Sequence, residues 1–298
     1  MTTLITLTRR NIRLYFSDKA QVFFSLLGAL MAVFLVLLFL KSTVVDQMTA
    51  GLGGAVTTTE MSHLLDVWLI ASASVIASMT TALGAMNQFV EDRETARWRD
   101  FLVTPLSRWA IQAGYLSAAV VVSVIMTTVV YGLGTAYCLS QGAPLSWTGV
   151  LTGWTRLLLC SLGFTALMGF MTAFLRTRHA WTGVSIIVGI ISGFLNGTYV
   201  TSEAMPAGVA NVLARLPFAQ ASWFVRDPYT SQAIAALPEA VQEPTAKMMW
   251  IHLVVDGTTA TAPVVAGGLV AMLLIFSLGA WAVMARTLPS ARRVSLSR

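Results

Sequence analysis

The sequence predicts an all-α integral membrane protein with six transmembrane helices, and three observations carry that prediction. Of 298 residues, 56% are hydrophobic and only 11% charged, against roughly 25% charged in soluble domains. Six apolar runs reach the length of about 20 residues that a helix needs to cross the hydrocarbon core: 22–40, 65–86, 112–139, 151–175, 181–199 and 263–285. The basic residues cluster at the ends of these runs. That is a membrane-orientation pattern, so the net charge of +6 points to an anionic lipid surface and not to nucleic acid.

Residues 1–19 precede the first run. At 100° per residue, Thr6, Arg9, Arg10 and Arg13 share one arc, while Leu4, Leu7, Ile12, Leu14, Tyr15 and Phe16 fill the rest. This predicts an amphipathic helix lying on a leaflet; the alternative is a basic flank that only sets orientation. No small-residue cleavage site follows the first run, so it is expected to remain as a span.

Six spans place both termini on one side. That side then carries 14 basic and 5 acidic residues, a balance of +9; the other carries 5 basic and 8 acidic, a balance of −3. The basic excess predicts cytoplasmic termini. Trp109 and Trp181 fall near the inner ends of spans and Trp147, Trp154 and Tyr199 near the outer ends, as in an aromatic belt.

The outer connections differ. Residues 41–64 are rich in Gly and Thr and read as a loop, and 140–150 is a short turn with Gly142 and Pro144. Residues 200–262 hold five of the nine prolines, yet Val209, Val212, Leu213 and Leu216 recur at helical spacing. Short helices at the outer interface are expected there, with a second apolar run at 248–255 before the last span.

The inner connection between the second and third runs, 88–104, predicts a helix. Residues 89–109 carry eight charges in balance: Glu91, Asp92, Glu94 and Asp100 against Arg93, Arg97, Arg99 and Arg108. Trp98, Phe101 and Leu102, at i, i+3 and i+4, form an apolar face suited to a groove on a soluble partner. Thr104 and Pro105 end the helix, because the residue before proline avoids the α region.

Several chemistries lack their motifs. The chain has no GxxxxGK[ST] phosphate loop, no GxSxG and no HExxH. Cys138 and Cys160 belong to no metal-binding spacing and read as small buried hydrophobes. No cofactor is expected. Ion-driven transport normally buries carboxylates or histidines within spans; here Asp66, His63, His179 and His252 lie at span edges or near loops. Span interiors carry neutral groups instead, among them Ser72, Ser74, Ser78, Thr80, Thr81, Ser123, Thr127, Thr128, Ser185, Ser192 and Asn196, most of which suit helix packing.

The run Asp92-Arg93-Glu94, ten residues, then Pro105-Leu106-Ser107-Arg108 resembles the cytoplasmic loop of ABC-2 type transporter permeases, with a pattern near Glu-Arg-Glu-x-Gly-Thr followed by Leu-Leu-Val-Thr-Pro-Leu-Ser-Arg. Phe101 to Arg108 match its end; Ala96 stands where glycine is usual and Trp98 where leucine is usual. Neither substitution was expected to break the helix. The likeness extends to a Leu-Pro at Leu216 and Pro217 and an arginine at Arg226. It implies a type V exporter fold in a bacterial cytoplasmic membrane. It further implies a coupling helix, carried by Glu91, Asp92, Arg93, Glu94, Trp98, Phe101, Leu102, Thr104 and Pro105, that docks on a separate ABC ATPase, which would bind the ATP and magnesium. Two permeases, identical or homologous, would pair around a path lined by the second and fifth spans, making Ser74, Thr80, Ser185, Phe194 and Asn196 candidate lining residues. A gradient-driven transporter or channel, and a non-transport assembly or immunity subunit, are the alternatives. Drug-like amphiphiles, peptides, lipids and glycan precursors all remain open as substrates.

Overall fold

The computed structural model describes residues 2–97, 108–200, 202, 205–255 and 257–287. Helix α1, Thr2–Ser17, ends beside Asp18. The Asp18 carboxylate accepts the Gln21 amide at 3.0 Å and so caps α2, Lys19–Leu35. The helix then continues past the expected end of the first span. It widens through a π turn, Val36–Leu40, and runs on as α3, Lys41–Gly51. The loop expected over 41–64 is therefore largely helical. Val45 and Met48 are buried with Leu64, Trp68 and Met249, and covering that stripe outweighs the modest helix propensity of Thr43, Val44 and Val45.

Helix α4, Thr58–Ala85, starts at a reciprocal cap: Glu60 N–H donates to Thr57 Oγ1 at 3.2 Å and Thr57 N–H donates to the Glu60 carboxylate at 2.9 Å. It is the hub of the molecule. Every residue of its most apolar stretch is buried inside the protein. Alanine and serine at 71–74 and 77–78 let the neighbouring helices approach closely. The remaining long helices are α6, Arg108–Ser140, α7, Trp147–Ala173, α8, Arg178–Leu195, and α12, Ala262–Thr287. Six helical stretches, in the order the apolar runs predict, are long and apolar enough to cross a membrane.

Two boundaries differ from expectation at the inner end. Between α4 and α6 lies α5, Asn87–Glu94, which stops at Glu94 instead of continuing to 104. Ala96 follows with φ 57°, a left-handed conformation that no helix interior accepts. Glycine, the usual residue of the ABC-2 pattern here, takes that conformation without strain. Ala96 therefore does mark a helix break.

The segment before α12 folds as α9, Ala207–Arg215, α10, Pro217–Ala235, and α11, Glu239–Met248. The apolar run at 248–255 forms no helix. Trp250 turns the chain at φ 56°, and Val254–Val255 pairs with Thr258–Thr259 as a small antiparallel hairpin. α10 is not a surface helix. It packs against α4, α7 and α12 and buries Trp223, Phe224, Arg226 and Tyr229. Pro228 lies within it and has no N–H to give the Phe224 carbonyl. Arg156 of α7 supplies the missing donor at 2.9 Å, pairs with Asp227 at 2.8 Å and stacks over the Phe224 ring.

Candidate functional site

At the end of the bundle carrying α1, α5 turns three consecutive side chains toward three different parts of the same chain. Asp92, 1% exposed, takes both guanidinium nitrogens of Arg10, at 2.8 and 3.2 Å, the Tyr115 hydroxyl at 2.6 Å and the Gln88 amide at 2.8 Å. Burial opposes the charge on Arg10, but the bond and charge of Asp92 hold its pKa above the ordinary value. Phe89 and Tyr115 pack edge to face beside this cluster, within a core of Leu7, Tyr15, Met86 and Ile111. The pair is thus bidentate and sits against apolar surface, the geometry in which an ion pair is strongest.

Arg93 points the other way. Its guanidinium donates to the carbonyls of Ala173 at 2.9 Å and Leu175 at 3.1 Å, which close the end of α7. Glu94 accepts the amide of Arg178, the first residue of α8, at 3.1 Å, and Glu91 pairs with the Arg178 guanidinium. A cation thus meets the carbonyl end of one helix and two anions meet the amide end of the next, each matching the helix dipole. The triplet is directed into its own chain. Trp98, Phe101, Leu102, Thr104 and Pro105 lie outside the described residues.

A groove of about 1050 Å³ runs beside α4 between α2 with α3 on one wall and α8 on the other. Its span is long: Asp18 and Asn87 line one end, and Met48, Trp68 and Met249 the other. Between them the lining is apolar, with Phe24, Met31, Leu35, Ile186 and Ile190. Midway it narrows. A Cβ on Gly28 would lie 3.3 Å from the Thr80 methyl and 3.6 Å from the Gly189 carbonyl oxygen, so α2 and α8 meet there through glycine above Thr80.

Of the five residues proposed for a path, the structure brings three to this groove: Thr80, Ser185 and Phe194. The Ser185 hydroxyl is buried and, among the described residues, has no hydrogen-bond partner. Ser74 lies elsewhere. It is fully buried and donates to Ile70 of its own helix at 2.7 Å, within a seam of hydroxyls where Ser123 reaches the Ser78 carbonyl and Thr127 meets Ser161. Asn196 is also absent from the lining. It is the C-cap of α8 and stands beyond the helix, its side chain 2.8 Å from Thr198 Oγ1.

Asn196 belongs instead to the surroundings of Arg226. That arginine is fully buried and stacks over Trp68. Its Nε donates to Ser72 at 2.8 Å, and its Nη2 to the carbonyls of Asn196 at 3.0 Å and Gly197 at 3.3 Å. Guanidinium, indole face and the carbonyl end of α8 compensate one another without a carboxylate in the contact set. The sequence flagged Arg226 only through the family likeness. Its own signal, an arginine amid Trp223, Phe224 and Val225, was available, because such a cation needs buried acceptors. Gly28 and Gly189 carried no signal, since the sequence does not say which glycines face one another.

Six membrane-length helices around a buried hub, with a long apolar groove on one side, define a multi-pass membrane protein of the transport class. Residues 2–219 match the ABC-2 type transporter model, and the chain belongs to that family, whose members are the permeases of ABC transporters and typically work with an ATPase subunit. No curated protein matches the chain.

Proposed function

We propose that this chain is the permease subunit of an ATP-driven exporter, which moves an amphiphilic substrate outward along the groove beside α4 while a separate ATPase supplies the energy. The observation that carries this reading is the groove itself. It follows α4 past the apolar part of the bundle, and its one strongly charged lining residue, Asp18, stands at an end. An apolar solute could cross there without meeting a buried charge in the groove wall. The chain performs no bond chemistry; ATP and magnesium belong to the partner.

The groove is open along the side where α2 and α8 expose Phe23, Phe34, Leu38, Ile187 and Ile191. A second permease, identical or homologous, covers that side in this reading and completes the path. The basic excess supports placing α1, α5 and both termini in the cytoplasm of a bacterial cell. α1 then lies along the inner leaflet, with Ile5, Arg9 and Arg13 exposed to lipid and headgroups.

The test is reconstitution with the ATPase encoded beside this chain. Substrate accumulation in inverted vesicles should require ATP and that subunit. Phe101→Asp should abolish co-purification of the ATPase while membrane insertion persists. Transport that continues without any ATPase would favour a gradient-driven carrier, for which the fully buried Asp66, paired with Lys41 at 2.6 Å, is the natural ion-coupling group.

A further inference from the structure

α8 is held differently from the other long helices of the bundle. Along its 18 residues only Ser192 and Gly193 are buried, both near one end. Its other contacts of strength are terminal. At its start, Glu94 accepts the Arg178 amide, Glu91 holds the Arg178 guanidinium, and the Trp181 indole donates to the Leu83 carbonyl at 3.3 Å. At its finish, Arg226 holds the carbonyls of Asn196 and Gly197. Tyr199 lies over Gly193, where any Cβ would overlap its ring.

A helix with fixed ends and a loosely packed middle moves as a rod. Which end moves follows from what holds each. The finish is clamped by a buried guanidinium that itself rests on α4 and α10. The start is clamped by α5, and Arg93 ties α5 to the α7 end of the same turn. α5 is therefore joined to α8 at the terminal end and nowhere else.

We propose that α8 is a lever in the coupling mechanism: α5 displaces its first turn through Glu91 and Glu94, Arg226 is the pivot at its far end, and the displacement widens or closes the groove at Gly28 and Gly189. This rests on the permease reading above, and it specifies how ATPase movement reaches the path. Asp92, Arg93, Glu91, Glu94 and Arg226 are positioning residues in this scheme. The signature triplet transmits force within the permease, and docking on the ATPase falls to other residues. Because Gly189 lies partway along α8, a shift of the first turn reaches the constriction reduced but not lost.

The test uses the purified permease–ATPase complex in liposomes, with spin labels at Met31→Cys on α2 and Ile190→Cys on α8; both native cysteines are buried and remain unlabelled. The inter-label distance is measured with and without ATP by double electron–electron resonance. The parent complex should show an ATP-dependent shift in population. Arg178→Glu, which sets two carboxylates against each other, should reduce that shift by about tenfold while the ATPase still co-purifies and hydrolyses ATP. Glu91→Arg combined with Arg178→Glu restores the ion pair and should restore the shift. Glu94→Gln, which keeps the shape and weakens the amide contact, should fall between. The lever is overturned if Arg178→Glu leaves the shift intact, if the reversed pair fails to restore it in a folded complex, or if Arg178→Glu releases the ATPase. A parent complex that retains no ATPase overturns the permease reading itself, and the lever with it.

Discussion

The Tyr115 hydroxyl donates to Asp92 across 2.6 Å, onto the carboxylate oxygen that Arg10 also holds at 2.8 Å. One oxygen thereby joins α1, α5 and α6. Asp92→Ala would leave the Tyr115 hydroxyl buried without its acceptor and Arg10 without its partner. Since Arg10 is 30% exposed and can turn to water, the expected loss is about 1–3 kcal/mol, read as a lowered Tm in detergent. Tyr115→Phe removes one donor and should cost less, about 1 kcal/mol. Equal losses for the two variants would argue against the shared oxygen.

Ala96 stands at φ 57°. Ala96→Gly should raise stability by about 0.5–1 kcal/mol, because relief of the left-handed penalty exceeds the extra freedom gained by the unfolded chain. Ala96→Val should lower stability, since a β-branched residue tolerates that region least. Chemical denaturation of the three proteins side by side measures both signs.

At the groove's narrow point, Gly28→Ala needs the Thr80 methyl to yield only slightly. It should leave folding and transport near the parent level. Gly28→Leu pushes α2 from α8 and should cost about 1–3 kcal/mol and abolish transport, with ATPase binding retained. Vesicle uptake together with co-purification separates these outcomes.

Arg226→Met removes the donors that Ser72, Asn196 and Gly197 accept. The expected cost is about 2–4 kcal/mol. Arg226→Lys should not rescue it, because one ammonium cannot span Ser72 and the end of α8 while stacking on Trp68. A thermal melt of the lysine variant matching the parent would remove Arg226 as an anchor.

Glu243 on α11 pairs with Lys247 at 3.2 Å and with His252 at 2.8 Å; Lys247 foremost, then His252, holds its carboxyl below the ordinary value. A depressed carboxylate adds stability above its unfolded pKa of about 4.3 and loses it as pH falls through the lower folded value. Hydrogen exchange at 250–253, corrected for intrinsic rates, should therefore show the turn loosening in acid below about pH 4. Glu243→Gln should abolish that change.

How far the sequence could be read depends on the range of the interaction concerned. The six spans were legible because each is set by the length of a local apolar run. The helix at 41–51 was not, because Val45 and Met48 are too few to mark a face until Leu64, Trp68 and Met249 close over them. Ser74 and Thr80 lie on one helix about 120° apart, so one joins the buried seam and the other the groove. Hydroxyl chemistry alone does not tell them apart. The inward direction of Asp92, Arg93 and Glu94 depends on Arg10, Ala173, Leu175 and Arg178, up to 84 residues away in sequence.

The π turn at Val36–Leu40 sets the register of everything after it in the first span. It amounts to one residue more than a regular helix would use over the same rise. Deleting a single leucine there would restore even winding and rotate α3 by about 100° relative to α2. Lys41 would swing off Asp66, and Val45 and Met48 would turn their apolar surface away from Trp68. A one-residue deletion that shortens the helix by only about 1.5 Å would thus be felt as misalignment, and natural length variation in this span should come in whole turns.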